Sequence, residues 1–109
     1  MFHQGDIIWL DFDPQTGHEQ KGRRPALIVW NDTMLKKIPG MALVCAVSTT
    51  DNGFPLHIKL DDTSKNTKGY ILCEQSRVVD LNARNAKLKD KVSEKVLNEV
   101  KEILIAEIE

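Results

Sequence analysis

The sequence lacks a strong excess of charge of either sign. Its 109 residues carry 15 lysines and arginines against 16 aspartates and glutamates, so the formal net charge is −1. A protein that coats nucleic acid indiscriminately is strongly basic, so the total charge argues against that class. It leaves open a basic groove confined to one part of the surface.

Long hydrophobic runs and metal-ligand patterns are also missing. No apolar stretch approaches the roughly 20 residues that a membrane span needs, and residues 1–6 have neither the basic start nor the apolar run of a signal peptide. The two cysteines, Cys45 and Cys73, form no Cys-x-x-Cys pair, and the three histidines are scattered, which leaves no ligand set for structural zinc. We therefore expect buried reduced thiols, no metal, no cofactor, no membrane association and a cytoplasmic location.

The length allows one domain, spanning residues 1–109. Its pattern predicts strands first and one helix last. Strands are expected at residues 7–12, 26–30, 41–47, 56–60 and 70–79, with loops at 15–22 and 31–40. Pro25 should begin the second strand, because proline cannot donate to a central ladder. In the fourth strand, His57 and Lys59 alternate with apolar residues and should lie on a solvated face.

Ser93 is a good N-cap for a C-terminal helix, since its hydroxyl can accept from the first turn. Apolar residues recur at helical spacing behind it and form one stripe: Val96, Leu97, Val100, Ile103, Leu104 and Ile108. We expect the stripe to pack on the sheet, and a separate role as a membrane or partner helix is the alternative. The order of elements predicts a mainly β fold with a C-terminal α-helix, a small and strongly bent antiparallel barrel.

Three polar segments could carry chemistry. The first is the loop 17–25, which ends in Arg23, Arg24 and Pro25. Because adjacent side chains of a strand face opposite ways, one of the two arginines can look into a site on the sheet. Arg24 is held extended by the proline that follows it.

The second segment is Ser48-Thr49-Thr50, either a capping turn or a hydroxyl cluster at the mouth of a buried strand. The third is Glu74-Gln75-Ser76-Arg77. The Glu74 carboxylate, following three apolar residues, needs a cationic partner or a functional role.

These segments, taken in order along nearly the whole chain, resemble the MazF/PemK-type toxins of bacterial toxin–antitoxin systems. The stretches that carry the resemblance are GDIIWLDFDP at 5–14, GHEQ at 17–20, GRRPALIV at 22–29, AVST at 46–49, GFP at 53–55, EQSRVVD at 74–80 and AR at 83–84. The resemblance implies an SH3-like twisted antiparallel barrel of the MazF, Kid and CcdB kind. It also implies a homodimer and neutralisation by a cognate antitoxin protein.

The implied activity is sequence-specific, metal-independent cleavage of single-stranded RNA. The 2′-hydroxyl attacks the adjacent phosphate and leaves a 2′,3′-cyclic phosphate and a 5′-hydroxyl. This step needs a base, an acid and cationic stabilisation of the phosphorane. Arg24 matches the arginine before proline of this family, for which the resemblance also implies proton transfer; because a guanidinium has a pKa above roughly 12, we favour an electrostatic role. The resemblance places the active hydroxyl at Ser48 or Thr49. Some members pair a carboxylate at the Glu74 position with an arginine two residues earlier, where this chain has Leu72.

The catalytic candidates implied in this way are Arg24, Ser48, Thr49, Glu19, His18 and Glu74. The candidates for RNA binding are Gln20, Lys21, Gly22, Arg23, Asn31, Pro55, Gln75 and Arg77. For Arg77, a structural ion pair competes with RNA contact.

Two alternative functions belong to other classes. One is a non-catalytic toxin of the same fold that poisons DNA gyrase; such a toxin uses a C-terminal Trp-Gly-Ile, whereas this chain ends IAEIE. The other is a catalytically silent SH3-like binding module.

Overall fold

A computed structural model of the chain describes residues 1–12, 22–50 and 53–109. The described part contains one antiparallel sheet of six strands in the order β4-β5-β3-β2-β1-β6. The strands are β1 (Asp6–Asp11), β2 (Arg23–Ile28), β3 (Met41–Ser48), β4 (His57–Lys59), β5 (Tyr70–Asp80) and β6 (Lys87–Lys91). Two helices, α1 (Asp32–Lys37) and α2 (Glu94–Ile108), complete it. The predicted fold class, mainly β with a C-terminal helix, is confirmed, and the twisted sheet is barrel-like without closing.

The sheet buries apolar side chains on both of its faces. Alternation along the strands places Leu10, Ala26 and Val44 on one side, which we name the inner face. Leu27 and Cys45 lie on the other side, which we name the helix face because Val96 and Val100 of α2 pack there. Burial on both faces explains why β3 reads as one continuous apolar run.

Pro25 lies inside β2 rather than at its start, which corrects the sequence prediction. It pairs with Trp9 of β1, and β2 already begins at Arg23. The pairs between β2 and β3 start only at Ala26. The proline therefore sits where the ladder to β3 has not yet begun, and its missing N–H removes no bond from that ladder.

Two elements were not predicted. Helix α1 lies in the segment expected to be a loop; the Asn31 side chain accepts a hydrogen bond from the Met34 N–H at 2.9 Å, and Asp32 and Lys36 suit the two ends of the helix dipole. Strand β6 consists mostly of lysines, which are typical of a sheet edge but carry little strand propensity. It forms because it pairs with β1.

Helix α2 begins as predicted, with Ser93 as the N-cap. The Ser93 Oγ accepts from the Val96 N–H at 3.1 Å and donates to Asp61 Oδ2 at 2.6 Å. The apolar stripe is buried near the start of the helix, whereas Ile108 near its end is 85% exposed. None of the helices in the described ranges has the length and apolar character needed to traverse a bilayer.

Candidate active site

The two neighbouring arginines of β2 point to opposite sides of the sheet. Arg24 pairs with Leu10 and lies on the inner face, where it is half-buried. Arg23 is exposed and pairs with Asp11; its guanidinium donates to the Asp11 carboxylate and to the Asn85 carbonyl, both at 2.9 Å. The pKa of Asp11 lies below its ordinary value because the Asn85 amide and then Arg23 donate to the carboxylate. Arg23 is thus tied to its neighbours, and Arg24 is the arginine on the inner face.

The end of β3 separates the candidate hydroxyls. Ser48 continues the alternation of Val44 and Ala46 and pairs with Tyr70, so it lies on the inner face. Ser48 and Arg24 each lie two residues beyond the Ala26–Ala46 pair on their strands. Ser48 is buried, and its Oγ accepts from the Thr50 N–H at 3.1 Å. Thr49 is exposed and lies outside the strand, so Ser48 is the hydroxyl that shares a face with Arg24.

Gly69 fixes the position of the Ser48 backbone. It adopts φ +126°, and a Cβ at this position would lie 2.9 Å from the Ser48 carbonyl carbon. Any larger residue at 69 would push on the end of β3. The C-terminal end of β3, where Ser48 lies on the inner face, therefore depends on a glycine 21 residues away in the sequence.

Glu74 has a partner that the sequence analysis did not anticipate. His57 Nε2 lies 2.9 Å from Glu74 Oε2, and the imidazole side chain is only 5% exposed. The prediction of a solvated face is therefore wrong for His57, because Glu74 and the edge-on ring of Phe54 surround the imidazole. The pKa of Glu107 on α2 lies above its ordinary value because of burial and then the charge of Glu74.

The pairing of β4 with β5 brings His57 next to Leu72, the position at which some members of the family have an arginine partner for the carboxylate. This chain has no arginine there. A donor from the neighbouring strand therefore reaches the carboxylate instead. The alternation of residues 56–60 was the available signal for a polar side chain here, but it could not reveal the contact with Glu74.

The adjacent row of the sheet is polar as well. Tyr70 of β5 pairs with Ser48 on one side and with Lys59 of β4 on the other. The tyrosine ring packs against the core of the inner face, and Lys59 is exposed. The sequence analysis did not single out either residue, because each is an ordinary strand residue until the register is known.

The other candidate residues are more widely placed. Arg77 pairs across from Val44 and is half-buried, with Gln75 nearby on the same strand. Pro55 is exposed in the turn before β4. Gly22 adopts φ +75°, and its carbonyl accepts from the Phe12 N–H at 2.9 Å.

Asn31 caps α1 beyond the other end of β2, so one copy of the chain does not bring it to Arg24. The candidates His18, Glu19, Gln20 and Lys21 lie outside the described residues, and their roles stay predictions.

The chain matches a known family along almost its whole length. The sequence model described as the PemK-like, MazF-like toxin of type II toxin–antitoxin systems matches residues 3–108. The endoribonuclease toxin MazF of Escherichia coli K12 is 34% identical to the chain over 97 residues, covering 89% of this chain and 85% of that protein.

Solved structures agree with this match. The crystal structure of MazF from Deinococcus radiodurans is similar with a TM-score of 0.89 at 31% identity, covering 98% of this chain and 96% of that one. A crystal structure of MazE-MazF from the same organism is similar with a TM-score of 0.84 at 28% identity, covering 98% and 95%.

Proposed function

The chain belongs to the PemK-like, MazF-like toxins of type II toxin–antitoxin systems, and from this premise we propose that it is an endoribonuclease that cleaves single-stranded RNA at specific sequences. The observation that carries the proposal is the extended match to relatives named endoribonuclease, such as the 34% identity over 97 residues to MazF of Escherichia coli K12. The common face of Arg24 and Ser48 supports it. We also propose that residues 1–109 act as one toxin domain.

The proposed reaction needs no metal. The ribose 2′-oxygen attacks the adjacent phosphorus, the bond from phosphorus to the 5′-oxygen breaks, and the 2′-proton goes to a base while an acid protonates the leaving 5′-oxygen. The products are a 2′,3′-cyclic phosphate and a 5′-hydroxyl. The protein must stabilise the charge that develops on the phosphorane oxygens.

Arg24 is the residue that we assign to this charge. A guanidinium can donate two parallel hydrogen bonds to phosphate oxygens, and it stays protonated in proteins. Its role is therefore electrostatic rather than proton transfer. The Ser48 hydroxyl, on the same face, can donate one further hydrogen bond to a phosphate oxygen.

The proton transfers are assigned to carboxylate and imidazole groups. The Glu74 side chain is 28% exposed, so solvent and substrate can reach it. His18 and Glu19 are the other proposed acid–base groups. Gln20, Lys21, Gly22, Arg23, Asn31, Pro55, Gln75 and Arg77 are proposed RNA contacts.

We propose that two copies of the chain form a homodimer. Leu43 pairs with Val78, and Leu43 also lines a groove of about 350 Å³ with Ile105 of α2. Val78 and Ile105 are 48% and 52% exposed, so the groove and its edge form an apolar surface that a second copy can cover. Light scattering should then give twice the chain mass of 12.3 kDa.

A cognate antitoxin is the second proposed partner. Relatives of this chain have been crystallised as MazE-MazF complexes, and this likeness supports an antitoxin that covers the RNA site. We further propose a cytoplasmic location, which agrees with two free and buried cysteines.

The proposal is tested by incubating the purified protein with a long RNA in EDTA and mapping both product ends. We expect discrete cuts with 2′,3′-cyclic phosphate and 5′-hydroxyl ends. Intact RNA would contradict the proposal. A parallel supercoiling assay with DNA gyrase then separates the two alternative functions, because inhibition would indicate a gyrase toxin and no inhibition a binding module.

A further inference from the structure

One ring nitrogen of His57 lacks a hydrogen-bond partner in the part of the chain that the structure describes. Nε2 is hydrogen-bonded to Glu74 at 2.9 Å, whereas Nδ1 is buried and has no partner within residues 1–12, 22–50 and 53–109. The side chain as a whole is 95% buried, given its 5% exposure. Nearly all buried polar atoms in proteins have a partner, so an exception calls for an explanation.

Glu74 determines the hydrogen-bonding character of that nitrogen. A carboxylate without a proton can only accept hydrogen bonds, so the tautomer that satisfies this contact carries its single ring proton on Nε2. Nδ1 then carries the lone pair and is an acceptor in a fixed direction. The group that suits it is a hydrogen-bond donor from a bound molecule.

An exposed aromatic ring lies beside this acceptor. Phe54 contacts the imidazole edge to face, with ring centroids 5.3 Å apart and an interplanar angle of 68°. Its side chain is 44% exposed although it is large and apolar. Exposed aromatic rings of this kind offer a stacking surface to an unpaired base.

Phe54 and His57 lie close to Ser48 at the C-terminal end of β3. His57 is two residues from Lys59 on β4, and Lys59 reaches Ser48 through the Lys59–Tyr70 and Tyr70–Ser48 pairs. Neighbouring strands are about 4.8 Å apart and two residues span about 6.6 Å along a strand, so His57 lies about 12 Å from Ser48 across the sheet. A nucleotide next to the cleaved bond can span that distance.

We propose that Phe54 and His57 form a subsite for one unstacked base of the RNA substrate. The base stacks on the Phe54 ring, which moves aside to expose the imidazole edge, and His57 Nδ1 accepts from the exocyclic amino group of adenine or cytosine. Uracil, which has a carbonyl at the corresponding place, binds less well. Glu74 acts here as a positioning residue that holds the imidazole. The inference rests on the proposed function, because it takes RNA as the substrate.

Substitution of His57 by glutamine distinguishes the roles of its two ring nitrogens. His57→Gln keeps a donor for Glu74 but removes the acceptor at Nδ1. On oligonucleotides that differ at single positions, we expect the KM of His57→Gln to rise about five- to tenfold for the amino-bearing base, with little change for uracil at that position. Because His57 also contacts Glu74, a proposed acid–base group, any change in kcat should be the same for both bases, and the base-dependent change in KM is the diagnostic result.

Phe54 provides the second pair of variants. Phe54→Leu removes the stacking ring and should raise KM about tenfold for every base at the position, whereas Phe54→Tyr should restore the KM. Circular dichroism and thermal unfolding confirm that each variant is folded. If His57→Gln and Phe54→Leu both kept the base preference and KM of the parent protein, the subsite would be refuted.

Nitrogen-15 NMR of His57 tests the base subsite without depending on RNA cleavage. Nitrogen-15 spectra of the His57 ring should show the Nε2–H tautomer, and Nδ1 should shift when a single-stranded RNA with 2′-O-methyl riboses is added. A shift in a protein that cuts no RNA would support the subsite and contradict the nuclease. Cleavage without any response of His57 would overturn the subsite and leave the nuclease standing.

Discussion

Replacing Arg24 with alanine should strongly lower the rate of RNA cleavage without unfolding the protein. Arg24 is half-buried near the start of β2, before the first β2–β3 pair, and it lies across from the buried core residue Leu10. Since Arg24 is only half-buried, truncation opens a gap to solvent rather than an enclosed cavity. The thermal midpoint should therefore change by only a few degrees.

The size of the catalytic loss follows from the role of the guanidinium. Removing one hydrogen-bond donor that stabilises an oxyanion typically lowers kcat by about 10² to 10³, or roughly 3–4 kcal/mol. Arg24 carries a full charge and can donate twice, so we expect a loss at the upper end of this range. Arg24→Lys keeps the charge without the planar fork and should recover only part of the rate.

Single-turnover cleavage of a fluorescent oligonucleotide in EDTA measures the effect. Arg23→Ala is the matched control, because Arg23 is the adjacent residue with the same charge but faces Asp11 and the Asn85 carbonyl. The kcat of Arg23→Ala should stay within about threefold of that of the parent protein. If Arg23 contacts RNA, the loss of that contact should appear in KM instead. Cleavage by Arg24→Ala at the parental rate would refute the assignment. Equal losses in both variants would show that bulk charge, rather than the inner-face position, matters.

Three further predictions concern the framework of the site. Gly69→Ala should lower the free energy of unfolding by about 2–4 kcal/mol in urea titrations and also reduce cleavage, because its Cβ would clash with the Ser48 backbone; an unchanged urea midpoint would contradict the close approach. Val100→Ala should cost about 2 kcal/mol in the same assay, since this residue of α2 is fully buried against the helix face of the sheet; a loss below about 0.5 kcal/mol, usual for surface sites, would mean that the helix does not dock there. Cys45 and Cys73 should resist iodoacetamide at pH 8 until urea unfolds the protein, because burial raises both thiol pKa values, that of Cys73 to about 12; mass spectrometry showing alkylation of the folded protein would contradict this.

Local patterns predicted much of the fold. The apolar run of β3 and the Ser93 cap with its stripe identified a central strand and the C-terminal helix, because burial and capping act over a few residues. Strand β6 escaped prediction because its lysines carry little strand propensity and its partner, β1, lies about 80 residues earlier. Helix α1, with six residues, is too short for a periodic signal.

By itself, the sequence determined the fold class, the family resemblance and the principle that one of two adjacent arginines faces the site. These properties follow from the order of residue types and from the strict alternation of side chains along a strand. The tertiary structure decided that Arg24 is the inner arginine, that Ser48 rather than Thr49 shares its face, and that His57 holds Glu74. Each of these depends on the register between strands, where a shift of one residue exchanges the two faces. That register is set by packing of the whole sheet, so no local pattern contains it.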